Sequence, residues 1–286
     1  MTRFTGSMGV IGAGRLGTAL ARALVQRGYR VDKVASRAPS SGGRLASRLP
    51  AASLGTLAEV VASTDFVFVT VADGAIEGVA KNLAWRPGQA VVHCSGALGL
   101  EVLAGATARG AIAGCFHPLQ SFAAEAAPDR FDGITIGIEG AERLGGWLES
   151  MAADLGARTV RLEGVDRALY HAAAALVSND LVALAAAASR TWEAAGLPRE
   201  AAREALAPLI LGAARNIEAQ PLERALTGPV ARGDVATVAR HLAALAAIPD
   251  LALLYRALGR ELLRLPLAID AVARDALEAM FAEEGA

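Results

Sequence analysis

The sequence predicts an α/β protein in which a doubly wound parallel sheet is followed by an all-helical C-terminal domain. Two observations carry this. Up to about residue 162, short β-rich runs alternate with helical patterns, the signature of parallel strands joined by crossover helices. After Gly164 no β-rich run follows, and turn signals separate one helical segment from the next.

In order, Met8–Ile11 reads as the first strand and Arg15–Arg27 as an amphipathic helix stopped by Gly28. Arg30–Ser36 is the second strand, and Pro39–Gly43 reads as a turn-rich loop. Phe66–Val71, Ala90–His93, Ala111–Phe116 and Ile134–Ile138 are further strands, and Arg158–Leu162 ends the sheet. Helices are expected over Asp166–Ala195, Arg199–Ala219, Asp234–Leu245, Pro249–Leu263 and Ala268–Ala282. Breaks fall at Gly196-Leu197-Pro198, Gln220-Pro221, Gly228-Pro229, Arg232-Gly233-Asp234 and Ile248-Pro249. The expected domains are 1–160 and 161–286.

The chain has 286 residues, long for one core and comfortable for two. It carries 28 Lys and Arg against 29 Asp and Glu, so no basic field points to nucleic acid or an anionic membrane surface. Two cysteines, Cys94 and Cys115, give no disulfide framework. The first seven residues lack the apolar core of a signal peptide, and a cytoplasmic location is expected. Ala172–Ser189 is almost wholly apolar, but Asn179 and Asp180 interrupt it and would be costly in lipid. The expectation is a long helix buried between domains or subunits.

Gly12-Ala13-Gly14-Arg15-Leu16-Gly17 matches G-x-G-x-x-G between a strand and a helix, the context in which it binds a dinucleotide. The first glycine permits the turn, the second admits the pyrophosphate, and the third lets helix and strand pack closely. The first domain is therefore expected to be a Rossmann domain. NAD sites place an acid about twenty residues on, at the end of the second strand, to bind the ribose 2′-hydroxyl. Here that strand ends Ala35-Ser36-Arg37. A guanidinium beside a hydroxyl suits a 2′-phosphate, so NADP is expected, with Arg44 in support; otherwise Arg37 is a solvated surface charge. In the loop Val71-Ala72-Asp73, Asp73 either orders the nicotinamide ribose or caps a helix starting near Ile76.

The segment Gly9–Gly17 resembles the start of pyrroline-5-carboxylate reductases, coenzyme-F420-linked NADP oxidoreductases and the 6-phosphogluconate/3-hydroxyisobutyrate dehydrogenase superfamily. His93-Cys94-Ser95-Gly96-Ala97 and Phe116–Phe122 are similar to the Rossmann half of oxidoreductases carrying the C-terminal domain of unknown function 2520. Tyr170-His171 through Ser178-Asn179, and Leu226–Asp234, are similar to the helical half of the same group. The resemblance spans nearly the whole chain. It implies an oxidoreductase, a homodimer formed through the helical domain and, for some members, ketopantoate reduction. Prephenate dehydrogenases show a similar His-Pro segment and an Asp-Arg ahead of a serine-containing helix, matched here by Asp166-Arg167 and Ser178. Hydroxyisobutyrate-type enzymes use a lysine on the interdomain helix; this chain has none after Lys81, so another group must donate the proton.

Hydride transfer to C=O or C=N leaves charge on oxygen or nitrogen, which needs a proton or strong donors. His171, Ser178 and Asn179, at i, i+7 and i+8 of the expected helix, share a face and are the catalytic candidates; the alternative is a polar helix interface. His117, just before Pro118, is a substrate contact or a loop anchor. Ser95 and Gly96 offer backbone for a carboxylate. Arg232 either pairs with a substrate carboxylate or bridges to Asp234. No metal site is expected, because adjacent strand residues such as His93 and Cys94 point to opposite faces. The leading expectation is an NADPH-dependent reductase of a small 2-oxo acid or imine. The alternatives are a prephenate-like or F420-linked dehydrogenase and a non-catalytic NADP(H) sensor.

Overall fold

A computed structural model describes residues 3–122 and 128–282. Its sheet has eight strands: β1 (Met8–Ile11), β2 (Val31–Ala35), β3 (Ser53–Leu54), β4 (Phe66–Val69), β5 (Ala90–His93), β6 (Ile112–Pro118), β7 (Thr135–Gly140) and β8 (Arg158–Arg161). They lie in the order β3-β2-β1-β4-β5-β6-β7-β8. All neighbours are parallel except β6 and β7, which run antiparallel with His117 opposite Gly137. Helices α1 (Arg15–Gln26), α2 (Pro39–Ala46), α3 (Leu57–Ser63), α4 (Asp73–Asn82), α5 (Ala104–Thr107) and α6 (Glu142–Asp154) connect the strands.

Side chains on a strand alternate between faces, and β4 shows the consequence. Phe66 and Phe68 enter one core with Leu20 and Leu24 of α1 and Leu148 and Met151 of α6. Val67 and Val69 enter the other with Val60, Ile76 and Leu103. Both pairs are fully buried, worth roughly 2 kcal/mol per side chain. Strands covered on both faces read as continuous apolar runs, which is why β4 and β5 are plain in the sequence.

The remaining helices are α7 (Arg167–Leu176), α8 (Asn179–Ala194), α9 (Arg199–Ala219), α10 (Leu222–Ala225), α11 (Val235–Leu245), α12 (Pro249–Leu263) and α13 (Ala271–Ala282). The chain divides into two compact units at Ser178/Asn179, beyond the expected boundary at 160/161. The first unit takes in α7, because Arg167 pairs with Glu139 of β7 and Tyr170 bonds to His117 of β6. The second unit has its own core of Val230, Val238, Leu242, Leu263, Leu277 and Phe281.

Two expectations need correction. Pro39–Gly43 is not a loop but the start of α2: proline is tolerated at a first helical position, and Gly42 is there for closeness, since a Cβ would lie 2.7 Å from Leu54 Cδ1. The continuous helix expected over Asp166–Ala195 is interrupted at Val177–Ser178, where the Ser178 hydroxyl donates to the Ala174 carbonyl at 2.7 Å. In the single chain neither α7 nor α8 has a buried residue, so the burial expected between domains or subunits is left to a partner subunit. By length and composition Arg167–Ala194 also meets the requirement for a membrane span, though Asn179 and Asp180 lie inside it.

Candidate active site

The carboxyl ends of four neighbouring strands are level. Ile11 pairs with Ala35 and Val69, Val69 with His93, and His93 with Cys115. The residues just past these ends meet at one edge, where open parallel sheets bind ligands.

The turn after β1 fits a dinucleotide. Gly12 has φ +113°, and a Cβ there would lie 2.7 Å from the Thr70 carbonyl carbon and oxygen. At Gly17 a Cβ would lie 2.1 Å from the Gly12 carbonyl oxygen. At Gly14 nothing lies within 4 Å, so the backbone is open to an incoming pyrophosphate. No side chain caps α1 and its first turn, with Arg15 exposed, has no acid; its N–H groups and dipole remain available to an anion. Ala13 and Leu16 pack on the sheet core and hold the turn down. Thr70, which the sequence reading passed over, pins it: Oγ1 donates to the Gly12 carbonyl at 2.7 Å.

At the end of β2, Ser36 is half-buried and Arg37 exposed, and Gly42 of α2 packs near the Ser36 backbone. Arg44 donates to Ser41 Oγ at 3.0 Å. Past β4, Val71 is half-buried and Ala72 exposed. Helix α4 begins at Asp73 rather than near Ile76, with Ala72 at the cap position, so Asp73 is not its cap. Its carboxylate instead accepts the Ser95 hydroxyl at 2.8 Å. Ser95 Oγ in turn accepts the N–H groups of Ala97 and Leu98, each at 3.2 Å, which fixes the loop after β5.

Two histidines stand behind this loop. His93 is fully buried; its Nδ1 accepts the Ser95 N–H at 3.2 Å, which leaves the proton on Nε2. Burial, reinforced by Arg167, pushes its pKa down to about 4. His117 is half-buried, and burial together with His171 and Arg167 pushes it down to about 4 as well. Both rings are neutral at physiological pH. His117 Nδ1 lies 2.9 Å from Tyr170 Oη, and burial pushes that phenol up to about 12. The His171 ring lies 6.2 Å from that of His117.

Helix α7 carries this corner. Asp166 caps it, accepting the N–H groups of Ala168 at 2.9 Å and Leu169 at 3.1 Å. At the first position of the helix, Arg167 pairs with Glu139 and lies 3.5 Å from Cys115 Sγ. Burial pushes the Cys115 thiol up to about 11, so it is no nucleophile near neutrality.

The fold thus gathers Gly12–Gly17, Asp73, Ser95, Gly96 and His117 along one edge, with His171 beside His117. Ser178 donates its hydroxyl to its own helix. Asn179 and Arg232 belong to the second unit, where both are exposed. Asp234 caps α11, accepting the Thr237 N–H at 3.0 Å, and forms no ion pair with Arg232 among the described residues. Sequence reasoning gave no role of their own to Tyr170, Thr70 and Glu139. Tyr170 and His117 stand 53 positions apart, and no local pattern links them.

A model described as a Rossmann-like domain matches residues 2–118, and the domain of unknown function 2520 matches residues 134–262. No curated protein sequence matches the chain significantly. Among solved structures, a Bacteroides fragilis protein provisionally named as an NADP oxidoreductase is 29% identical over 90% of this chain and 98% of its own, with TM-score 0.71. Protein TM1727 from Thermotoga maritima is 28% identical over 95% of this chain and 98% of its own, with TM-score 0.70. A reductive aminase from Aspergillus terreus, in complex with NADPH and ethyl-5-oxohexanoate, shares the fold at 18% identity over 99% of this chain and 96% of its own, with TM-score 0.60.

Proposed function

We propose, for a chain that joins a Rossmann-like domain to a domain of unknown function 2520, that it is an NADP-dependent oxidoreductase. It moves a hydride between NADPH and a small carboxylate-bearing 2-oxo acid or imine, with ketopantoate the first substrate to try. The observation that carries this is the Gly12–Gly17 turn, open at Gly14 beneath an uncapped helix and flanked by Ser36 and Arg37 where an NAD site has an acid. The Bacteroides relative's name supports the same cofactor.

A bound nicotinamide supplies the hydride. The α1 N–H groups would hold the pyrophosphate, and Ser36 and Arg37 would take the 2′-phosphate. Asp73, through Ser95, orders the loop that would face the nicotinamide end of a bound cofactor. Neutral His117, with the His171 ring 6.2 Å from its own, stands beside the developing charge. In the second unit, taken by itself, Arg232 is proposed to pair with a carboxylate and Asn179 to donate to an oxygen, roles that rest on the chemistry of those side chains alone. The test is a fluorescence titration with NADPH and NADH, followed by turnover with ketopantoate and a panel of 2-oxo acids and cyclic imines. NADPH is expected to bind at least about tenfold more tightly, a difference of about 1.4 kcal/mol. Failure of both cofactors to bind refutes the reading.

We also propose a homodimer formed through the helical segments. Leu169, Leu176, Val177 and Val182 are each 65% exposed or more, a run that an isolated soluble chain rarely leaves bare. Light scattering that finds only monomer at micromolar concentration removes this assignment.

A further inference from the structure

We infer that Tyr170 is the acid that protonates the reduced substrate atom, with His117 as its positioning and reprotonating partner. The inference rests on the oxidoreductase reading above and assigns the proton donor that reading requires.

Geometry carries it. Tyr170 Oη and His117 Nδ1 are 2.9 Å apart, and their rings meet edge to face at 5.5 Å and 75°. Two glycines make room for the couple. A Cβ on Gly96 would lie 2.5 Å from His117 Cε1, 2.7 Å from Nε2 and 2.9 Å from Nδ1. A Cβ on Gly137 would lie 2.5 Å from Tyr170 Oη. At Gly96 an added Cβ meets the His117 imidazole itself; at Gly137 it meets the Tyr170 hydroxyl and, at 2.6 Å, Leu162 Cδ1. Neither glycine has a positive φ that would explain it by backbone conformation. Gly96 also follows Ser95, the hydroxyl held by Asp73, so the couple sits against the loop at the ligand-binding edge.

Among the candidates of α7 and the turn after it, Tyr170 is the better donor. The Ser178 hydroxyl is already committed to the Ala174 carbonyl. His171 is exposed, whereas Tyr170 is half-buried and shielded from competing water. The phenol is protonated at working pH, as any tyrosine is, and the lowered pKa of His117 keeps that ring a neutral partner.

The proton balance closes. As the hydride and its electron pair reach the C=O or C=N carbon, the π pair moves to oxygen or nitrogen. That atom takes the Tyr170 Oη proton. His117 Nδ1–H then returns a proton to the phenolate while Nε2 takes one from water. The sum is one hydride and one proton added across the double bond.

Tyr170→Phe keeps the ring and deletes only the hydroxyl. It is expected to lower single-turnover reduction of whichever panel substrate the wild type accepts by about 100-fold. NADPH affinity, read by fluorescence, should stay within twofold. Nitrogen-15 NMR of the cofactor-free protein supplies a readout independent of turnover: the His117 Nδ1 signal should show a hydrogen bond in wild type and lose it in Tyr170→Phe. A variant within threefold of the wild-type rate, or an unchanged His117 signal, overturns the assignment and leaves the oxidoreductase reading standing. Wild type that binds NADPH yet reduces no panel member overturns both.

Discussion

At Gly12 a single hydrogen atom separates a working turn from a collision. The residue is in the left-handed region, and the atoms a Cβ would strike are Thr70 backbone, which cannot swing aside. Gly12→Ala should therefore lose NADPH binding by more than about tenfold, beyond 1.4 kcal/mol, in the fluorescence titration. Thr70→Val tests the same turn more gently. It deletes the bond to the Gly12 carbonyl and should cost about 1 kcal/mol in urea unfolding, with a few-fold weaker affinity for NADPH. Arg37 acts by charge instead of shape. Arg37→Asp places an acid where NAD enzymes have one, so the NADPH-to-NADH affinity ratio should fall by about a hundredfold while NADH binding is retained or improved. Unchanged preference in that variant would show that Arg37 is only a solvated charge.

Among elements, α7 is tied to the sheet by two contacts, Tyr170 with His117 of β6 and Arg167 with Glu139 of β7. Its attachment to β7 runs through Arg167 and Glu139, whose side chains are 9% and 19% exposed. Removing one member of such a pair leaves a charge stranded away from water. Glu139→Ala should destabilise by roughly 3 kcal/mol in denaturant unfolding, and Arg167→Met in the same chain should restore much of that loss. Local pattern made α1 and β4 legible: a glycine turn, a 3.6-residue apolar period and a doubly buried apolar run. Helix α2 was hidden because proline and two glycines read as a loop, whereas in place proline starts the helix and Gly42 admits Leu54. The antiparallel turn of β7 and the seat of α7 were hidden for a different reason. Both rest on partners far apart in sequence, His117 against Gly137 and Tyr170, and periodicity carries no record of pairings at that range. The candidate site follows the same division. The glycine turn after β1 was read directly, whereas the Tyr170–His117 corner emerged only once β6, β7 and α7 were in place.

For the whole molecule, the same burial that prepares the site sets how the protein tolerates acid. His93 and His117 are both neutral in the fold, with pKa values lowered from 6.5 to about 4. In the unfolded chain each regains its ordinary value, so between pH 6.5 and 4 the unfolded state binds more protons than the native one. Stability is then full above pH 6.5 and is lost progressively as pH falls toward 4. The groups around His117 set its share: Arg167, His171 and His93 disfavour its charge, and Asp73 opposes them. His93 is fully buried, so its contribution is the less screened, on the order of 3 kcal/mol across the window. Urea unfolding at pH 7.0, 5.5 and 4.5 should show a falling midpoint at a constant slope. His93→Gln, whose amide oxygen can still accept the Ser95 N–H, should flatten that fall by about half while leaving the pH 7.0 midpoint within about 1 kcal/mol of wild type. If the variant and wild type lose stability in parallel, His93 is charged in the native state or not enclosed, and the interior behind the Ser95 loop is wetter than its packing implies.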